Sequence, residues 1–89
     1  MIKADTYRIL GVDPGSQATG YGVIEKEGGY LRFVTCGVIR TANGQSFPER
    51  LQAIHDGLSA VIKEQAPVVA AVEDMFVAIN PKIPRIGKP

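Results

Sequence analysis

Two carboxylates, Asp13 and Glu73, stand at the ends of two apolar, strand-like runs. The first run, Tyr7-Arg8-Ile9-Leu10-Gly11-Val12, stops at the turn-forming stretch Asp13-Pro14-Gly15-Ser16. The second, Val68-Val69-Ala70-Ala71-Val72, ends at Glu73-Asp74. If the two strands are parallel neighbours, both carboxylates project from one carboxyl edge of a sheet, the edge where ligands of α/β sheets collect. Adjacent strands lie about 4.8 Å apart, close enough for the side chains to share a cation. Two carboxylates held together stay ionised at low cost only where a cation neutralises them. Such oxygen ligands suit Mg²⁺ or Mn²⁺, and no His/Cys cluster competes for zinc. Taken singly, an acid at a strand end is more often a solvated loop residue. The joint placement carries the metal reading.

The elements that would position these acids are legible from pattern. Thr19 to Glu27 reads as a second strand, and Gly28-Gly29 supplies a hairpin connection that tolerates positive φ. Tyr30 to Arg40 returns as a third strand, so the first three form an antiparallel meander. After the break at Asn43-Gly44, Ser46 and Glu49 form a capping box, with Pro48 tolerated in the first turn. Leu51, Ile54, Leu58, Val61 and Ile62 recur at helical spacing over Ser46 to Gln65, and Pro67 ends the helix. His55 flanks that stripe as an expected core-edge residue. The unalternating run Val68 to Val72 suits a strand buried on both faces. The predicted order is strand, strand, strand, helix, strand, with the helix as a right-handed crossover that returns the fourth strand beside the first. Asn80 to Pro89, with Pro81, Pro84 and Pro89, shows neither period and is expected to be irregular.

Composition narrows the class without naming a partner. The 89 residues are enough for one small domain, 45% hydrophobic and 21% charged, as ordinary soluble domains are. A net charge of +1 supplies no bulk attraction to nucleic acid, so any such role must come from a local site. The single cysteine, Cys36, excludes a disulfide framework and is expected to be a small buried side chain. The polar start from Met1 to Tyr7 lacks a secretory core, and runs such as Val68 to Val72 cannot span a bilayer. A cytoplasmic protein is expected.

Ile9-Leu10-Gly11-Val12-Asp13-Pro14-Gly15-Ser16, followed by Thr19-Gly20-Tyr21-Gly22-Val23-Ile24, resembles the N-terminal signature of the RuvC family, the bacterial crossover-junction endodeoxyribonucleases. The likeness continues through Gly37-Val38-Ile39-Arg40-Thr41, Pro48-Glu49-Arg50-Leu51, Ala71-Val72-Glu73, Met75-Phe76-Val77-Ala78 and Asn80. It implies an α/β fold of the RNase H-like type, a mixed sheet truncated after its fourth strand. It also implies a domain over residues 1–82, with 83–89 as a tail outside the family pattern.

By that resemblance, Asp13 and Glu73 ligate divalent metal and act in catalysis, with two Mg²⁺ (or Mn²⁺) ions per complete site driving in-line hydrolysis of a phosphodiester. Phe76 matches an aromatic that stacks on junction bases. Gly15, Ser16, Arg40, Asn80 and Lys82 are candidate DNA contacts, with Gly20 and Gly22 stripping one strand face for close approach of another backbone. The implied substrate is four-way (Holliday) junction DNA, cut symmetrically by a homodimer, with the branch-migration proteins RuvA and RuvB as partners and no membrane role. Two features depart from the pattern. Ile79 stands where the family carries a basic residue, and Ile83 to Pro89 does not resemble the family's continuation, which bears the remaining acids. A truncated or frame-shifted chain, inactive alone and with an uncovered fourth strand, is therefore the expectation. Two other readings compete: an actin-like or sugar-kinase-type ATP-binding domain, which shares the Asp-x-Gly turn, and a non-catalytic junction-binding remnant.

Overall fold

A computed structural model describes residues 5–15 and 17–72, and the backbone of 75–78. Its strands are β1 (Thr6–Asp13), β2 (Ala18–Glu27), β3 (Tyr30–Arg40), β4 (Val69–Val72) and β5 (Met75–Ala78), and α1 (Phe47–Gln65) lies between β3 and β4. They form one five-stranded mixed sheet in the order β3-β2-β1-β4-β5. The expected meander, helical crossover and parallel return of β4 beside β1 are all present.

Local chemistry accounts for the turns. A Cβ on Gly15 would collide with the carbonyl oxygen of Ala18, so the tight connection from β1 to β2 requires glycine there. Gly28 takes φ 58°, a left-handed conformation, at the β2–β3 hairpin. Between β2 and β3 the register steps from Val23↔Thr35 to Ile24↔Phe33, which leaves Val34 as a β-bulge. Nothing in the strand pattern foretold it.

α1 starts on the expected capping box. Ser46 Oγ accepts from the Glu49 N–H, and Glu49 Oε1 accepts from the Ser46 N–H at 2.8 Å. It ends at Ala66, left-handed with φ 51°, just before the buried Pro67. The helix packs against β3, where a Cβ on Gly57 would come within 2.7 Å of the Ile39 side chain. At its C-terminal end Arg8 Nη1 donates to Gln65 Oε1 at 2.7 Å, while Arg8 Nε meets Glu25 Oε2 at 3.2 Å. Hydrogen bonds from Arg32 and then Arg8 hold the Glu25 carboxyl below its ordinary pKa. Leu10, Val23, Val69 and Thr19 are the fully buried side chains among the described residues. They sit on the central strands β1, β2 and β4.

Three expectations need correction. β4 is not left without a neighbour: β5 pairs with it antiparallel from Val69↔Ala78 to Val72↔Met75. The run Met75 to Ala78 is apolar enough to form a strand, and only Glu73 and Asp74 separate it from β4, the loop length of a tight hairpin. Among the described residues, large apolar side chains are exposed on β3, at Tyr30, Leu31, Phe33 and Val38, and on α1, at Phe47 and Leu51. Cys36 is exposed, because it alternates onto the sheet face opposite Ile39 and α1. His55 is also exposed, with its Nδ1 3.3 Å from Asp56 Oδ1. The irregular segment read from Asn80 to Pro89 lies outside the described residues.

The cap is directly testable. Ser46→Ala is expected to destabilise the fold by about 1 kcal/mol, measured as a lower urea midpoint. Bonding to Ser46 lowers the folded-state pKa of Glu49. Its contribution is therefore full above the unfolded carboxyl pKa and lost as pH falls through the folded value. Glu49→Gln should flatten that acid-side fall in stability.

Candidate functional site

β1 delivers Asp13 to the sheet edge. Its carboxylate is exposed and makes no hydrogen bond or ion pair with any described residue. β1 and β4 run parallel in the register Ile9↔Val69, Leu10↔Ala70, Gly11↔Ala71 and Val12↔Val72. Asp13 follows Val12 and Glu73 follows Val72 in the sequence, but Glu73 itself lies outside the described residues. Among the described residues no three His, Cys, Asp or Glu side chains converge. The described part of the edge thus presents one acid, Asp13.

Beside Asp13 the sheet is bare. Gly11, Val12, Asp13, Gly20, Tyr21, Gly22 and Ala71 line an open hollow of about 360 Å³. Asp13 faces Gly20 across β1 and β2, and Gly11 faces Gly22. A Cβ built on Gly11, Gly20 or Gly22 would meet nothing nearer than 3.8 Å, so packing within the chain does not require glycine at these positions. Gly15 and Gly37 differ: the Ala18 carbonyl crowds the first, and the Tyr21 ring lies over the second. Gly20 and Gly22 were legible as a stripped face. Gly11 completes it only through cross-strand register, which no single strand reveals.

The other sequence candidates separate clearly. Arg40 is exposed at the end of β3, paired with Ala18, and alternation places it on the same sheet face as Asp13. Gly15 lies in the loop after Asp13, where its glycine identity is explained by Ala18. Phe76 belongs to β5, with its side chain outside the description. Ser16, Asn80 and Lys82 also lie outside the described residues.

A sequence profile of the family described as crossover junction endodeoxyribonuclease RuvC matches residues 9–84. The chain belongs to the RuvC family. A RuvC from Cupriavidus metallidurans is 49% identical over 75 residues, covering 84% of this chain and 41% of the relative. One from Acinetobacter baumannii is 53% identical over 73 residues, covering 82% and 40%. The chain therefore spans about two fifths of the length of these curated relatives. Among solved structures, Thermus thermophilus RuvC matches with a TM-score of 0.66 and 29% identity over 73% of this chain and 43% of that one. T. thermophilus RuvC in complex with Holliday junction substrate matches at 0.69 and 28%, over 83% and 46%. The mixed sheet with its helical crossover is accordingly RNase H-like, as expected of RuvC proteins.

The contrast among glycines of this RuvC-family sheet can be measured. Gly22→Ala is expected to stabilise the protein by about 0.5–1 kcal/mol, because it restricts the unfolded chain without a clash. Gly15→Ala and Gly37→Ala are expected to destabilise it. Urea midpoints for the three variants check both signs.

Proposed function

We propose that the chain carries part of the active centre of a metal-dependent endonuclease acting on four-way junction DNA. The observation that supports this most is the Asp13 carboxylate, without a partner among described residues, at the carboxyl edge where β1 and β4 run parallel in register. Glu73, next after Val72, is the second acid of the proposed pair. An exposed hard-oxygen donor beside an open hollow lined in part by three glycines fits Mg²⁺ or Mn²⁺. When bound, a pair of such ions supplies charge neutralisation and Lewis acidity to the phosphodiester.

The chain's own groups do the rest. Asp13 and Glu73 would hold the ions that the scissile phosphate meets, and the bare face of Gly11, Gly20 and Gly22 admits the strand that carries it. Arg40, on the same face, meets a neighbouring phosphate. Phe76 stacks on an unpaired base, and Gly15, Ser16, Asn80 and Lys82 complete the proposed contacts. Water attacks phosphorus in line and the P–O3′ bond breaks, leaving a 5′-phosphate and a 3′-hydroxyl. A two-fold dimer would set two such sites across one junction and nick strands symmetrically. RuvA and RuvB are the partners proposed from the family, and the cytoplasm is the proposed setting. Among the described residues no helix is long and apolar enough to cross a membrane.

Two carboxylates leave a two-ion centre short of donors, so the 89-residue chain alone is expected to bind junctions and nick them negligibly. Gel shifts on four-way and linear DNA should show preference for the junction, and equal affinity for the two would sink the junction reading. Asp13→Asn is expected to abolish Mn²⁺ binding by calorimetry without weakening metal-free junction binding. A nicking rate in the 89-residue chain that depends on Glu73 would refute the predicted inactivity.

A further inference from the structure

On the sheet face opposite α1, cross-strand register lines side chains up in rows that run across the strands. Asp13, Gly20 and Val38 form one row, and Gly11, Gly22 and Cys36 form the next. Ile9, Ile24 and Phe33 form the third, and Tyr7, Lys26 and Leu31 the fourth. Along β1 and β2 successive rows are two residues, or about 6.8 Å, apart. The second row is a trough: it lies in the open hollow of about 360 Å³, where a Cβ on Gly11 or Gly22 meets nothing nearer than 3.8 Å. The third is a ridge of large apolar side chains that ends in Phe33, 67% exposed. Trough and ridge lie side by side, and both span β1 to β3.

We propose that this face binds a second copy of the chain, sheet on sheet. A two-fold axis lying across the strands, between trough and ridge, seats each copy's ridge in the other's trough. The same rotation lays the Asp13 row over the partner's fourth row. The Asp13 carboxylate, without a partner among the described residues, then comes beside the partner's Lys26, and the exposed Val38 meets the partner's exposed Leu31. A two-fold interface requires a patch complementary to itself, and matched bulky and bare rows meet that requirement. An unrelated partner would need only apolar area, which leaves the matching unexplained. Sheets packed face to face stand about 10 Å apart, a depth that one interdigitated layer of side chains fills. The pairing stands on the sheet alone. Its consequence rests on the DNA reading above: the pair closes the hollow beside Asp13, so the chain occludes its own DNA face as its concentration rises.

Sedimentation of the 89-residue chain without DNA is expected to show concentration-dependent dimers, in which the Cys36 thiol is alkylated more slowly than in the monomer. Phe33→Thr removes part of the ridge and Gly22→Val fills the trough. Each should raise the dimer Kd roughly 10-fold or more while keeping the parent's circular dichroism. Leu51→Asp, at an exposed position on α1, should leave the dimer unchanged. A monomer at every concentration overturns the proposal. So does a dimer that Phe33→Thr and Gly22→Val leave intact, or one that Leu51→Asp breaks. Occlusion predicts that Phe33→Thr binds junction DNA more tightly than the parent at concentrations where the parent is paired. Equal affinity there overturns occlusion, while sedimentation still decides the pairing. Failure of both proteins to bind junctions sinks the DNA reading instead.

Discussion

Arg8 holds together the two halves of the chain that the site needs. Its carbonyl accepts from the Val68 N–H at 3.1 Å, its guanidinium donates to Gln65, and its Nε bonds Glu25. One residue thereby pins the end of α1, the start of β4 and the neighbouring strand β2. The pin matters because β1 and β4 are joined only through a long crossover, whose closure costs entropy before any parallel pairing repays it. From that start the register runs to Val12↔Val72. A slip of one residue would exchange the faces of every side chain on β4. The anchor and the candidate site lie at opposite ends of β1, so the tightly bonded end sets the geometry of the sparsely bonded one.

The two ends differ in what they contribute to stability. Around Arg8 the charges are matched: Glu25 lies between two guanidinium groups and its carboxyl is pulled below its usual range. Around Asp13 there are three glycines with room for side chains, and a carboxylate without a partner among the described residues. Strand glycines weaken a sheet, and an unpartnered acid adds nothing to it. That distribution is what a site looks like when stability is supplied elsewhere in the fold.

Much of this frame was legible in the sequence because it rests on local rules. The Gly28 turn, the Ser46–Glu49 cap and the bounds of β3 follow from residue preferences within a few positions. The parallel return of β4 followed from the chirality and reach of a helical crossover. What stayed hidden depends on partners distant in sequence. β5 is four residues long, and its pairing with β4 is settled by a neighbour rather than by its own period. The exposure of Cys36, His55 and Phe33 depends on which face α1 covers, and apolar character cannot report that. Of the site, Asp13 and the glycines at 20 and 22 were readable as types in a strand. Gly11 required the register.

The bulge at Val34 shows how much one unreadable residue decides. Without it, the pairing Ile24↔Phe33 would continue unbroken, and alternation would turn Ile39 to the Asp13 face and Arg40 toward α1. The extra residue reverses the parity of the second half of β3. Ile39 then meets α1 at Gly57, burying the contact that holds the helix to the sheet. By the same reversal Arg40 joins Asp13 and the bare glycines on the face opposite α1. One insertion thus does two things that a regular strand could not do together: it supplies an apolar contact to the helix and a cation to the side where an anionic strand would lie. In an outer strand it also twists the free edge, which disfavours pairing with another chain.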